Sequence, residues 1–289
     1  MIDNLFCLSC EIFVFRQEAP SGVIYSLSPL LKENLWREPM KALITLTSSE
    51  SKRLIASGVK ALPSVLNALA KHTIIVAGGT SNAYVAEELL GVQIEDKTGY
   101  TMGIVTKGEL GISRSSKKTS PYVIDKGQAL KIPWKDYLPK LQLGDIFIKG
   151  GSAVDHTGLA AVMVSDSAGG TIGAAQGILY ARGIELIVPI GLEKMIPDVR
   201  AAVEFMTKSP VDESFGHKVG LIPMVGATVV TELTALETLY DIEARCIAAG
   251  GVDGSEGAVT IAIEGLDEEV LRALRDIKTF KGEPQLCVQ

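Results

Sequence analysis

The sequence predicts an α/β fold followed by a smaller α+β unit, and three observations point that way. Short β-branched runs alternate with helical patterns between residues 40 and 207. Glycine-rich turns stand where strands give way to helices, at residues 78–82 and 165–173. Residues 219–288 read strand, helix, strand, strand, helix, strand. The first two features imply a Rossmann-like, largely parallel sheet with helices on both faces. The third is the split-βαβ, ferredoxin-like order. The expected divisions are an N-terminal extension or over-long start at 1–39, an α/β ligand-binding domain at 40–207 and a ferredoxin-like domain at 208–289.

Along the chain, Thr47-Ser48-Ser49-Glu50 matches a capping box, in which hydroxyl and carboxylate satisfy orphan amides reciprocally. Leu54, Ile55, Val59, Leu62, Val65, Leu66 and Leu69 then recur at helical spacing, with a break or kink expected at Pro63. Residues 73–77 form a short strand-like run, followed by the 78–82 turn and a helical pattern over 83–90. Residues 99–131 look strand-rich and irregular, and the basic run 114–118 reads as a solvated loop. A helix is expected over 134–141, after Pro133. Strands at 145–149, 160–164 and 184–190 alternate with helices at 171–182 and from Pro197 or Asp198 to about residue 206. Residues 208–218 read as a linker. Beyond it come strands at 219–224, 242–249, 258–264 and 285–288, helices at 231–240 and 267–278, and a glycine-rich hairpin at 250–257.

Composition narrows the function. The 289 residues are 47% hydrophobic and 21% charged, as in a globular protein. A net charge of −6 argues against a binder of phosphate backbones, and 6% aromatics supply no stacking platform, so no nucleic acid is expected. No run reaches the roughly 18 uninterrupted apolar residues of a membrane span, so no membrane is expected either. The four cysteines suit a reducing, cytoplasmic setting; Cys7 and Cys10 form a C-x-x-C with no second pair beside it. The three histidines are too dispersed for a metal site.

Four segments gather polar groups at strand ends. Gly78, Gly79, Thr80, Ser81 and Asn82 open a helix whose amides favour an anion; the alternative is a plain turn with Thr80 or Ser81 as N-cap. Asp166, Ser167, Gly169, Gly170 and Thr171 open a second such helix. Lys149, Gly150, Gly151 and Asp155 follow an apolar strand, which puts a cation at the carboxyl edge of a sheet. Glu193 and Lys194 follow another, with Asp198 placed to cap the next helix. Lys149, Asp155 and Glu193 are the candidate catalytic groups. Glu193 or Asp155 would act as base or nucleophile, and Lys149 and Lys194 as charge stabilisers. The remaining residues of these segments would bind ligand. The two glycine turns are expected to face one crevice where strand order reverses.

The segments GGTSN (residues 78–82), GDIFIKGGSAVD (144–155) and IELIVPIGLEKMIPDVRAA (184–202) resemble the superfamily containing ribose-5-phosphate isomerase, glucosamine-6-phosphate deaminase and CoA transferases. The last two look most similar to lactate-utilisation-type domains. The resemblance covers about residues 41–207. It implies an anionic small molecule, a sugar phosphate or CoA ester, bound near residues 78–82, 149–155 and 169–171. Glu193 would correspond to the glutamate of CoA transferases, while the full acid/base set of the isomerases has no match. The expected activity is isomerase-type proton transfer or acyl transfer, with no cofactor specified. The alternatives are a non-catalytic regulatory protein or a subunit of a redox assembly. A homo-oligomer is expected, with the ferredoxin-like unit as effector or oligomerisation module.

Overall fold

The computed structural model describes residues 39–288. The extension expected before Pro39, with Cys7 and Cys10, lies outside the described residues. The chain opens with strand β1 (Met40–Leu46), helix α1 (Ser48–Ala61) and helix α2 (Pro63–Lys71). Strand β2 (Thr73–Val76) and helix α3 (Thr80–Leu90) follow. Two hairpins come next: β3 (Gly103–Thr106) with β4 (Glu109–Ile112), and β5 (Tyr122–Asp125) with β6 (Gln128–Leu130). Helix α4 (Trp134–Tyr137) leads to β7 (Ile146–Ile148), β8 (Ala153–Val154) and β9 (Ala160–Val164). Helix α5 (Gly170–Arg182), β10 (Glu185–Pro189) and α6 (Val199–Thr207) succeed them. The C-terminal part holds β11 (Gly220–Met224), β12 (Thr228–Val230), α7 (Glu232–Leu239), β13 (Ile242–Ala249), β14 (Val259–Gly265) and α8 (Asp267–Thr279).

The architecture is mixed α/β around a six-stranded mixed sheet, ordered β12-β10-β7-β2-β5-β6. The first four strands are mutually parallel, β5 runs antiparallel to β2, and β6 runs antiparallel to β5. Burial on both faces explains why β2, β7 and β10 are apolar runs without alternation. Ile74, Ile146, Ile148 and Ile187 point into a core shared with α1, α3, α7 and α8. Ile75, Phe147, Leu186 and Val188 point the other way, against α5 and β9. No helix among the described residues is long and apolar enough to cross a membrane.

Helix α1 shows the capping box: Thr47 N donates to Glu50 Oε2 (2.9 Å), and Glu50 N donates to Thr47 Oγ1. It ends before Pro63, which opens α2 at its first position, where no amide is needed. Gly58 lets α1 approach α7 closely; a Cβ built there would lie 2.5 Å from Ala235 Cβ.

Strand pairing departs from the expected scheme in two places. Strand β9 lies in a separate antiparallel sheet, β11-β9-β8. The short loop between β8 and β9 forces this, since parallel neighbours need a crossover of a dozen or more residues. In the C-terminal part, β11 therefore pairs with β9, while β13 and β14 take β1 as their third strand. With β14 flanked on both sides, residues 285–288 form no strand. The tail is instead tied to α1: Gly282 N donates to Glu50 Oε1, and Arg53 pairs with Glu283.

Candidate functional site

Because β2, β7, β10 and β12 run parallel, their carboxyl ends share one edge. Each is followed there by a polar loop: Gly78–Asn82 after β2, Lys149–Gly151 after β7, Gly191–Lys194 after β10, and Thr231–Glu232 after β12. Such an edge is where open α/β sheets bind ligands.

Two ammonium groups converge on consecutive carbonyls of one loop. Lys149 Nζ donates to Gly150 O (2.9 Å) and Lys194 Nζ to Gly151 O (3.2 Å). Neither lysine forms an ion pair among the described residues. Burial, joined by the charge of Lys194, lowers Lys149 from an ordinary 10.5 to about 8. Lys194 falls to about 8 for the same reasons, burial first and then the neighbouring Lys52. Glu193 and Glu232 pull Lys194 back toward its charged form, whereas no carboxylate acts on Lys149.

Glu193 accepts from Lys52 Nζ at 2.9 Å, and Lys52 also donates to the carbonyl and hydroxyl of Ser48. Burial works to raise the Glu193 carboxyl, but Lys52, with Ser48 and Lys194, outweighs it and holds the group below the ordinary range. Gly257, in the glycine-rich hairpin, covers this carboxylate: a Cβ there would lie 3.0 Å from Glu193 Oε2. Its φ of +78° also suits glycine alone.

Two buried acceptors face the same loops. Glu232 is fully buried; its Oε2 accepts from Leu192 N (2.9 Å) and its Oε1 has no hydrogen-bond partner. Burial, reinforced by the charge of Glu193, raises this carboxyl. Asn82 is fully buried and donates through Nδ2 to Ala77 O (2.7 Å), while its Oδ1 is unpartnered. A Cβ on Gly150 would lie 3.4 Å from that Oδ1, so the first turn of α3 adjoins the lysine loop. At its start, Gly79 N is bonded to Tyr100 O, and no side chain caps the helix. Neither Thr80 nor Ser81 acts as N-cap.

The structure thus brings Gly78–Asn82, Lys149–Gly151, Glu193 and Lys194 to one edge. It uses Asp155 elsewhere. Asp155 Oδ1 accepts from Thr157 N, Thr157 Oγ1 and Leu159 N, and its Oδ2 accepts from Val199 N (2.9 Å) at the start of α6. Burial opposes its ionisation, yet these bonds hold the carboxyl below its ordinary range. Both oxygens are committed to holding a loop and a helix, which leaves no lone base. Asp166, Ser167, Gly169, Gly170 and Thr171 also stand apart. Asp166 Oδ1 accepts from Ala168 N and Gly170 N, so the loop's own carboxylate meets the amides that open α5. Asp166, Ser167 and Gly169 line a pocket of about 460 Å³ with Met206, Pro210, Lys218 and Ile222; none of the lysine-loop residues lines it. Asp198 caps α6 by accepting from Ala201 N (2.8 Å).

Lys52 and Glu232 join the site without having been singled out in the sequence. Lys52 sits on the stripe that continues as Ile55 and Val59, and a lysine on an apolar stripe was the available signal. Glu232 at the first position of α7 reads as an ordinary complement to the helix dipole. Comparison of the chain with protein-family models, with curated proteins and with solved structures finds no match.

Proposed function

We propose that the chain binds an anionic small molecule, a sugar phosphate or a CoA ester, at the carboxyl edge of β7 and β10 and acts on it as an enzyme. The observation behind this reading is the convergence of Lys149 and Lys194 on the Gly150 and Gly151 carbonyls, with neither lysine in an ion pair among the described residues. Of the three ammonium groups here, Lys52 is paired with Glu193, a carboxylate held in its charged form, Lys194 lies within electrostatic range of it, and no carboxylate acts on Lys149. An anion between Lys149 and Lys194 would compensate the excess charge and return both lysines toward their ordinary ionisation. In this reading the sheet is Rossmann-like, and the resemblance to the isomerase, deaminase and CoA transferase superfamily points to the same class of ligand.

The reaction is isomerase-type proton transfer or acyl transfer, with Glu193 as the reacting carboxylate. A carboxyl held low is a weak base but a persistent anion, which suits acyl acceptance. One observation favours a binding role without turnover: Glu193 is paired to Lys52 and covered by Gly257.

A thermal-shift panel of sugar phosphates, CoA esters and hydroxy acids tests the proposal. A ligand at ten times its Kd adds roughly 1.4 kcal/mol, or about 3–6 °C for a chain of this size. The shift should vanish in a Lys149→Met/Lys194→Met double variant. A panel that produces no shift in the parent chain refutes the reading.

A further inference from the structure

We propose that Lys149 forms an imine with the carbonyl carbon of a phosphorylated ketone or aldehyde whose phosphate rests on Lys194. This rests on the anion site proposed above and narrows its substrate class. The two lysines differ in their surroundings in the way this division of labour needs. Lys149 Nζ contacts one backbone carbonyl, and Lys194 is the charge that acts on it. Lys194 has Glu193 and Glu232 in electrostatic range, which favour its ammonium form against burial and the stronger opposing charge of Lys52. An amine next to another cationic group and partly withdrawn from water is an activated nucleophile. Its lowered ionisation, to about 8, leaves an appreciable neutral fraction near neutrality. Asn82 Oδ1, buried, unpartnered and next to Gly150, can accept a hydrogen bond from a substrate or adduct hydroxyl.

The step balances without an oxidant. Lys149 Nζ gives its lone pair to the carbonyl carbon as the C=O π pair moves to oxygen. Transfer of a proton from nitrogen to oxygen yields a carbinolamine. A second proton on that oxygen lets water leave while the nitrogen lone pair forms the C=N bond. One carbonyl, one amine and one proton thus become one iminium and one water. The iminium draws electron density from the adjacent C–H bond and acidifies it, as isomerase-type proton transfer requires.

The test uses the full chain with dihydroxyacetone phosphate or glycolaldehyde phosphate, sodium cyanoborohydride to reduce any imine, and peptide mapping by mass spectrometry. The expected adduct lies on Lys149, at least about tenfold above that on an exposed lysine such as Lys107. It should disappear in Lys149→Arg, fall to background with dihydroxyacetone lacking the phosphate, and form faster as pH rises toward about 8. Adduct on exposed lysines alone, or on Lys194 in place of Lys149, overturns the imine while leaving the anion site standing if the same phosphates still raise Tm. Stabilisation by CoA esters alone overturns it too. Absence of any ligand response overturns the underlying anion site. The parent chain's own map decides the matter even if Lys149→Arg fails to fold.

Discussion

Replacing Lys149 by methionine should stabilise the ligand-free chain near neutral pH while weakening anion binding. Lowering an ammonium from 10.5 to about 8 corresponds to roughly 3.4 kcal/mol against the charged form. Solvent reaching this half-buried side chain reduces that to about 1.7 kcal/mol. Loss of the hydrogen bond to Gly150 O removes a further ~0.5–1 kcal/mol. The expected net gain is about 1 kcal/mol at pH 7, or about 2–4 °C in Tm. The sign of the pH dependence follows from linkage. The folded-state value lies below the unfolded one, so between about pH 8 and 10.5 the unfolded chain binds more protons and the parent protein gains stability with rising pH. The variant lacks that increment, so its advantage should shrink across the window. Urea titrations of both proteins at about pH 7 and about pH 9.5 measure this directly. A variant destabilised equally at both values would mean that the Lys149 charge is satisfied in the fold, and the reasoning would be wrong.

Asp155→Asn should cost about 2–3 kcal/mol, because the amide would oppose the Val199 N–H where a carboxylate now accepts. Anion-induced Tm shifts should survive this change, and their loss in a variant of normal stability would return Asp155 to the site. Gly58→Ala should cost about 1–3 kcal/mol by forcing α1 and α7 apart, and unchanged urea unfolding would deny the close packing. Acid should destabilise the fold through Glu50, Glu87, Asp96 and Asp155. In each, burial raises the carboxyl and is outweighed by hydrogen-bonded partners that hold it low. Their contribution is present above the unfolded values of about 4–4.5 and is lost as pH falls through the lowered folded ones. A urea midpoint that stays constant between about pH 5 and pH 3 would contradict this.

The parts of the fold legible in the sequence were those set by local chemistry. The Thr47–Glu50 capping box, the break at Pro63 and the buried runs of β2, β7 and β10 each announce themselves within a few residues. Pairing was less legible, because it depends on partners far away in the chain. Nothing within residues 219–288 indicates that β14 pairs with β1, or that β11 pairs with β9. The strand β12 spans only Thr228–Val230, too short to display a period.

The site shows the same division. Lys149 and Lys194 could be singled out because each follows an apolar strand and so falls at a sheet edge. Lys52 and Glu232 reach that edge from helices whose place is set by tertiary packing, and each reads locally as a routine helix residue. Asp155 looked equally catalytic in sequence. Only its bond to Val199 N, across forty-four positions of chain, reveals a structural anchor.

The central claim is that Lys149 and Lys194 together hold an anion. A crystal of the full chain soaked in selenate, with anomalous scattering locating the selenium, tests this most directly. The account predicts a selenate within hydrogen-bond reach of both Nζ atoms, beside Gly150 and Gly151, and its loss in the Lys149→Met/Lys194→Met variant. Selenate seated instead at the start of α5, beside Gly169 and Thr171, or absent from the lysine loop at saturating concentration, would contradict it.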